Sequence, residues 1–249
     1  MNNFQNTLAL ILIFIAGSGY LVFVFFNPEK WIKIRAISAF DKMRQAIGLS
    51  IEQGKRLHLS LGRSNITEQS GAASLVALST LEKVSQQSTL SDKPPVTTSG
   101  SGDLAILSQD IIQASYRSLG QLERYTSDRC YLTGATNFSY VAGTMQVIAQ
   151  EDAATQLLIG NFGPEIALMT DAADRKNGFS FVATDNLQGQ ATAYACADEL
   201  LLGEEMFAIP SFISNERKQR SYLHIQDILR WITISVLIIG SILKLVGVL

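Results

Sequence analysis

The chain has 249 residues, 47% of them hydrophobic and 17% charged, with a formal net charge of −2. This balance excludes the global basic footprint of a nucleic-acid binder, and the mean hydropathy of +0.18 points to membrane segments. The two cysteines, Cys130 and Cys196, lie far apart without C-x-x-C spacing, so they specify neither a metal site nor a disulfide framework.

The first element is TLALILIFIAGSGYLVFVFF, residues 7–26, which carries no charge. At 1.5 Å per residue it makes roughly 30 Å of helix, the thickness of one hydrocarbon core. Thirteen of its residues are Leu, Ile, Val or Phe, each favouring insertion by about 0.3–0.6 kcal/mol. It lacks the basic n-region and the A-x-A cleavage site of a signal peptide, so a retained anchor is expected. A second apolar stretch, WITISVLIIGSILKLVGV at 231–248, is interrupted only by Lys244, which can snorkel to the interface.

The flanks set the expected orientation. Lys30, Lys33, Arg35, Lys42 and Arg44 follow the first segment, Arg217, Lys218, Arg220 and Arg230 precede the second, and residues 1–6 hold no Lys or Arg. The positive-inside rule then makes the middle of the chain cytoplasmic and puts both termini outside. Lys30, Lys33, Arg35, Arg217, Lys218 and Arg220 become candidates for contact with anionic lipid head groups. The sequons at Asn65 and Asn137 fall on the side where glycosylation does not occur.

Between the segments the pattern alternates. Residues 27–54 read as a juxtamembrane helix that Gly54 stops in a left-handed conformation. RLHLSLG is a strand with Leu57, Leu59 and Leu61 on one face. A helix follows over 70–86 with Leu75, Leu78 and Leu81 inward, then a polar loop at 86–95, the strand PPVTTS and a helix from Asp103 to Leu119. CYLTG, a helix at 140–150, QLLIG, a helix opened by Pro164, SFVATD, the small-residue helix LQGQATAYACA and the strand ELLLG complete the series. Short apolar runs alternating with helices predict an α/β fold, a Rossmann-like parallel sheet of βα repeats. The domains are expected at 1–26, 27–54, 55–213 and 214–249, the last a charged helix capped by Ser214 that runs into the second membrane segment.

In such a sheet, ligands bind where strands end and helices begin. The candidates there are Gly62, Gly100, Gly102, Asp103, Gly134, Asp185, Glu204 and Glu205. The stretch SGSGD at 99–103 lacks the third glycine of a dinucleotide fingerprint and the Lys-Ser/Thr of a P-loop. Asp103 would repel a phosphate while serving a helix start, so capping is the favoured role. Glu204 and Glu205 are adjacent carboxylates, a minor candidate for hydrolysis. His58 and His224 have no Cys or acidic partner at ligand spacing, and no cofactor or metal is expected.

The residues LHLSLG, with FVATD and ELLLGEEMFAIPSFIS downstream, resemble a family of uncharacterised prokaryotic membrane proteins. The likeness covers most of residues 50–215. It implies an α/β domain combined with terminal membrane helices, and it offers no catalytic residue to carry over. The leading expectation is a non-enzymatic protein of the cell membrane that assembles with itself and with lipid. Gly17-Ser18-Gly19 and the small residues of 188–197 motivate self-association. The alternative is a membrane-anchored small-molecule or nucleotide sensor with its pocket at the strand ends.

Overall fold

The computed structural model describes residues 17–18, 37–88 and 93–213, together with 230–235, 237–238, 240–241 and 244. The chain divides into two units, 37–213 and the flanking 1–36 with 214–249. In the flanking unit Gly17, Ser18 and the described residues from 230 onward are helical. Among the described residues no helix is long and apolar enough to cross a membrane. The rest of the expected segment 7–26, parts of 231–248, the Ser214 cap, His224 and the six lipid-contact cations lie outside the described residues.

The unit 37–213 is built on a six-stranded sheet, every pair parallel, in the order β3-β2-β1-β4-β5-β6. The strands are β1 (Arg56–Gly62), β2 (Val96–Ser99), β3 (Cys130–Leu132), β4 (Ala153–Asn161), β5 (Phe179–Thr184) and β6 (Glu199–Leu201). The helices are α1 (Ser38–Glu52), α2 (Gly71–Ser88), α3 (Gly102–Ser118), α4 (Asn137–Glu151), α5 (Ile166–Asp174), α6 (Leu187–Cys196) and α7 (Ile209–Ile213). From β1 the chain moves outward through β2 to β3, then crosses back to β4 and continues to the other edge. Right-handed crossovers on the two sides of that reversal put α2 and α3 on one face and α4, α5 and α6 on the other. The helix α1 and the short α7 complete the first face.

Burial follows from this topology. A central parallel strand is covered on both faces, so β1 is buried almost throughout, His58 and Ser60 as well as the leucines. Leu57, Leu59 and Leu61 face α1 and α2. On the opposite side Tyr140, Val141, Leu158, Phe162, Ile166, Met169, Val182 and Ala193 form one cluster. Truncating a leucine as deeply buried as Leu59 or Leu158 to alanine costs about 2–5 kcal/mol.

The helices differ from the leucine pattern in one place. Leu75, expected inward, is 53% exposed. The buried side of α2 instead runs through Ala73, Ala77, Thr80, Leu81 and Val84, small residues that let the helix lie close to the sheet and to α3. Gly54 does stop α1, with φ of +63°.

The two ends of this unit meet. The rings of Phe40 on α1 and Phe212 on α7 stack at 3.9 Å with 8° between their planes. Arg44 donates to the carbonyl of Phe212, and Lys42 on α1 pairs with Glu199 on β6.

Candidate functional site

The reversal of strand order separates the loops that follow β1 and β4, and a crevice opens above that point in any sheet of this order. Here it is a cleft of about 570 Å³. Its walls come from the ends of four strands: Arg63, Ser64, Asn65 and Glu68 after β1, Gly100, Ser101 and Gly102 after β2, Leu132, Gly134 and Ala135 at β3, and Asn161 at β4.

The floor depends on Gly62. The register shifts between Ser60 and Gly62, so that Gly62 pairs with Asn161 and β4 carries an extra residue. Gly62 takes φ of +78°, and a Cβ there would come 2.7 Å from the Asn161 nitrogen. Only glycine meets both demands.

Arg63 crosses the floor from there. Its stem lies over Gly100, where a Cβ would collide with the Arg63 Cγ. Its Nη1 donates to the carbonyl of Ala135 at 3.3 Å. The guanidinium is thus fixed at stem and tip. Among the described lining residues it is the only cation, and none is Cys, His or Lys.

Two helix starts on this side of the sheet are capped from within the chain, α4 by Thr136 and α6 by Asn186. The Asp103 carboxylate accepts from the N–H groups of Ile66 and Leu104, both at 2.9 Å. Burial works to raise its pKa, but the hydrogen bonds it accepts, those from Ile66 and Leu104 among them, outweigh that and hold it below the usual carboxylate range. Thr136 and Ser139 form a capping box on α4. The carboxylate of Glu165 accepts from the Gly163 N–H at 3.1 Å, and Asn186 accepts from Gln188 N–H at 2.9 Å to cap α6. Against the expected capping role, the SGSGD stretch opens α3 without a side-chain cap at Ser101, with Gly100 and Gly102 in the cleft wall and Asp103 in the first turn, its carboxylate bonded to the Ile66 and Leu104 N–H groups.

Two amides complete the wall. Asn161 donates through Nδ2 to Asp185 at 2.7 Å, and Asn65 donates through Nδ2 to Glu68 at 2.8 Å. A carboxylate can only accept, so these partners fix which way each amide faces. Burial pushes the Asp185 carboxyl upward, with the Asn161 bond opposing it.

A family profile described as "Domain of unknown function (DUF6754)" matches residues 1–249. The chain belongs to the DUF6754 family. Comparison with curated proteins and with solved structures gives no match.

In this DUF6754 chain Gly100, Gly102 and Gly134 line the cleft, Gly62 shapes its floor, and Asp103 and Asp185 stand one residue behind it. Glu204 and Glu205 lie elsewhere. They sit in a 3-10 helix, Gly203–Ala208, beyond the edge strand β6 and outside the cleft wall. Arg63, Asn65 and Asn161 were not among the sequence candidates, because reading for glycines and carboxylates passes over neutral amides and a single arginine in a loop. The position of Arg63, directly after a strand ending in glycine, was the available signal. Among the described residues no group of three His, Cys, Asp or Glu could hold a metal ion.

Cys130 is partly buried, and burial pushes its thiol up. Beneath the cleft Tyr140 bonds to Ser60, and His58 Nε2 lies 2.9 Å from the Thr98 hydroxyl. These groups are fully enclosed and reach no solvent.

Proposed function

We propose that this DUF6754 chain is a membrane-anchored, non-catalytic receptor for a small polar molecule, which it holds in the cleft between the ends of β1 and β4. The carrying observation is the prearranged Arg63, fixed by Gly100 and Ala135 across the floor of a ligand-sized space at the strand-order reversal. The apolar stretches 7–26 and 231–248 supply the anchor, in the cell membrane of a prokaryote, with the α/β domain cytoplasmic and both termini outside. Lys30, Lys33, Arg35, Arg217, Lys218 and Arg220 then lie where anionic lipids are met.

The test is native mass measurement of the full chain in mild detergent, with melting followed across sugars, nucleosides and organic acids. A retained molecule, or a raised melting temperature, that disappears in Leu132→Trp supports the receptor. Leu132 is 58% exposed in the cleft wall, so tryptophan there fills the space at little cost to folding. An unchanged melt with every compound opposes the receptor.

The homo-oligomeric scaffold is the second reading. Leu187 and Tyr194 on the outer side of α6 are 79% and 78% exposed, beside the edge strand β6. Gly189 and Ala193 of the same helix face inward, so its small residues already serve packing within the chain. A uniform large particle in the native mass measurement favours the scaffold, and a monomer removes it.

A further inference from the structure

The loop of residues 63–70, between β1 and α2, supplies Arg63, Ser64, Asn65 and Glu68 to the cleft wall, and the turn into α3 supplies Gly100, Ser101 and Gly102. Beyond Arg63, most bonds of this loop stay within it or run back to α2. Ser64 Oγ lies 2.9 Å from Ser74 Oγ, which donates to the Ser64 carbonyl at 2.9 Å. Asn65 donates to Glu68 at 2.8 Å. The Ile66 carbonyl sits so near Gly71 that a Cβ there would come 2.1 Å from it. The loop and the first turn of α2 are thereby one body.

This body is tied to the β2–α3 turn at its base and again farther out. At the base the Gly100 N–H donates to the Gly62 carbonyl at 2.9 Å. Farther along the loop the Ile66 N–H donates to Asp103 Oδ2, also at 2.9 Å. The second oxygen of that carboxylate, Oδ1, accepts from the Leu104 N–H of its own helix at 2.9 Å. One oxygen thus fixes the carboxylate on α3 while the other reaches across to the loop. A bond at the base alone lets a loop swing about that point, and a second bond at a distance fixes the angle. Bonds accepted by a carboxylate are the stronger kind. Among the described residues Asp103 is the one side chain of α3 bonded to residues 64–70.

From this we infer that Asp103 is the latch of the cleft: its bridge between Leu104 and Ile66 sets how far the 63–70 loop stands from α3, and so the width of the cleft between Asn65 and Gly102. This goes beyond the receptor reading and stands whether or not the cleft holds a molecule.

The test places spin labels at Thr67→Cys in the loop and Ile106→Cys on α3, both exposed positions, in the full chain in detergent with Cys130→Ser and Cys196→Ser. Dipolar spectroscopy reads the distance between the labels, and hydrogen exchange at the Ile66 amide reads the bond itself in the unlabelled chain. Asp103→Ala is expected to lengthen or broaden the distance and to speed exchange at Ile66 by about tenfold or more, the scale of losing one hydrogen bond to a charged group. Asp103→Ser is expected to do the same, because its single oxygen cannot reach both amides, and it carries the test should the alanine variant fail to fold. Thr136→Ala removes the cap of α4 beside the same cleft and is expected to change neither readout. A label distance that stays unchanged without the carboxylate overturns the latch, even where Ile66 exchanges faster. The same change in Thr136→Ala overturns it too, since general loosening would then account for the effect.

Discussion

Gly62 and Asn161 are paired across the reversal point so closely that a methyl group on Gly62 would lie 2.7 Å from the Asn161 backbone nitrogen. The extra residue in β4 and the left-handed turn at the end of β1 are therefore one feature, and it sets the level from which Arg63 and Asn161 reach into the cleft.

A contrast between two glycines tests this. Gly62→Ala is expected to destabilise the protein by about 1–3 kcal/mol from backbone strain alone, with the contact adding to it. Gly102→Ala meets nothing within 4 Å and has no positive φ, in the first turn of α3. It is expected to be neutral or stabilising by up to about 1 kcal/mol. Urea unfolding of both variants decides; equal effects would show that the pairing at Gly62 imposes no constraint.

His58 is enclosed in the sheet, and its pKa is lowered from 6.5 to about 3 by burial. Its Nδ1 and the amide of Gln156, its neighbour in register on β4, have no hydrogen-bond partner among the described residues. The folded state therefore keeps the ring neutral where the unfolded chain protonates it. Above pH 6.5 the group has no effect; below that value stability falls until pH reaches the folded pKa. Between pH 6.5 and 5 the loss is about 2 kcal/mol. His58→Gln is expected to flatten that part of the urea-midpoint profile. A wild-type slope that persists in the variant would assign it to other groups.

Tyr140 and Ser60 bond to each other with both residues fully buried. Tyr140→Phe strands the serine hydroxyl and is expected to cost about 1–3 kcal/mol, and adding Ser60→Ala should recover some of that loss. A double-mutant cycle on unfolding free energies measures the coupling. Simple additivity would mean the bond contributes nothing of its own.

The Cys130 thiol, raised by burial, is expected to alkylate with iodoacetamide at pH 8 more slowly than a free cysteine in a short peptide, since the thiolate is the reacting form. Peptide mapping after timed quenching reads the rate, and a rate equal to the peptide's would contradict the burial.

The sheet was legible because its strands are short, apolar and set between helical periods. RLHLSLG matches β1, and LQGQATAYACA runs one residue past the end of α6. The strand order was not legible, since nothing in β3 itself says that the chain next returns past β1. The same blindness hid the site: Asn161 and Arg63 are nearly 100 residues apart and become neighbours only through that return. Burial of polar groups escaped for a related reason. His58 lies opposite the leucines of an alternating strand, and only the central position of that strand shows that this second face, with Ser60 on it, is covered as well. Asp103 was legible as an acid in the first turn of a helix, but not as a cap: its carboxylate reaches the Ile66 N–H of another loop, a contact that no local pattern shows.

The stacked rings of Phe40 and Phe212 close the α/β unit at its own point of entry and exit. A unit whose ends touch is a cassette: it can be set into a surface loop of a host protein without prying that host apart, or its ends can be joined by a short linker and the chain reopened elsewhere. For whatever flanks it, the same closure imposes a geometric condition. The unit's first and last turns are held at one place, so parting them must first pull the aromatic rings away from each other.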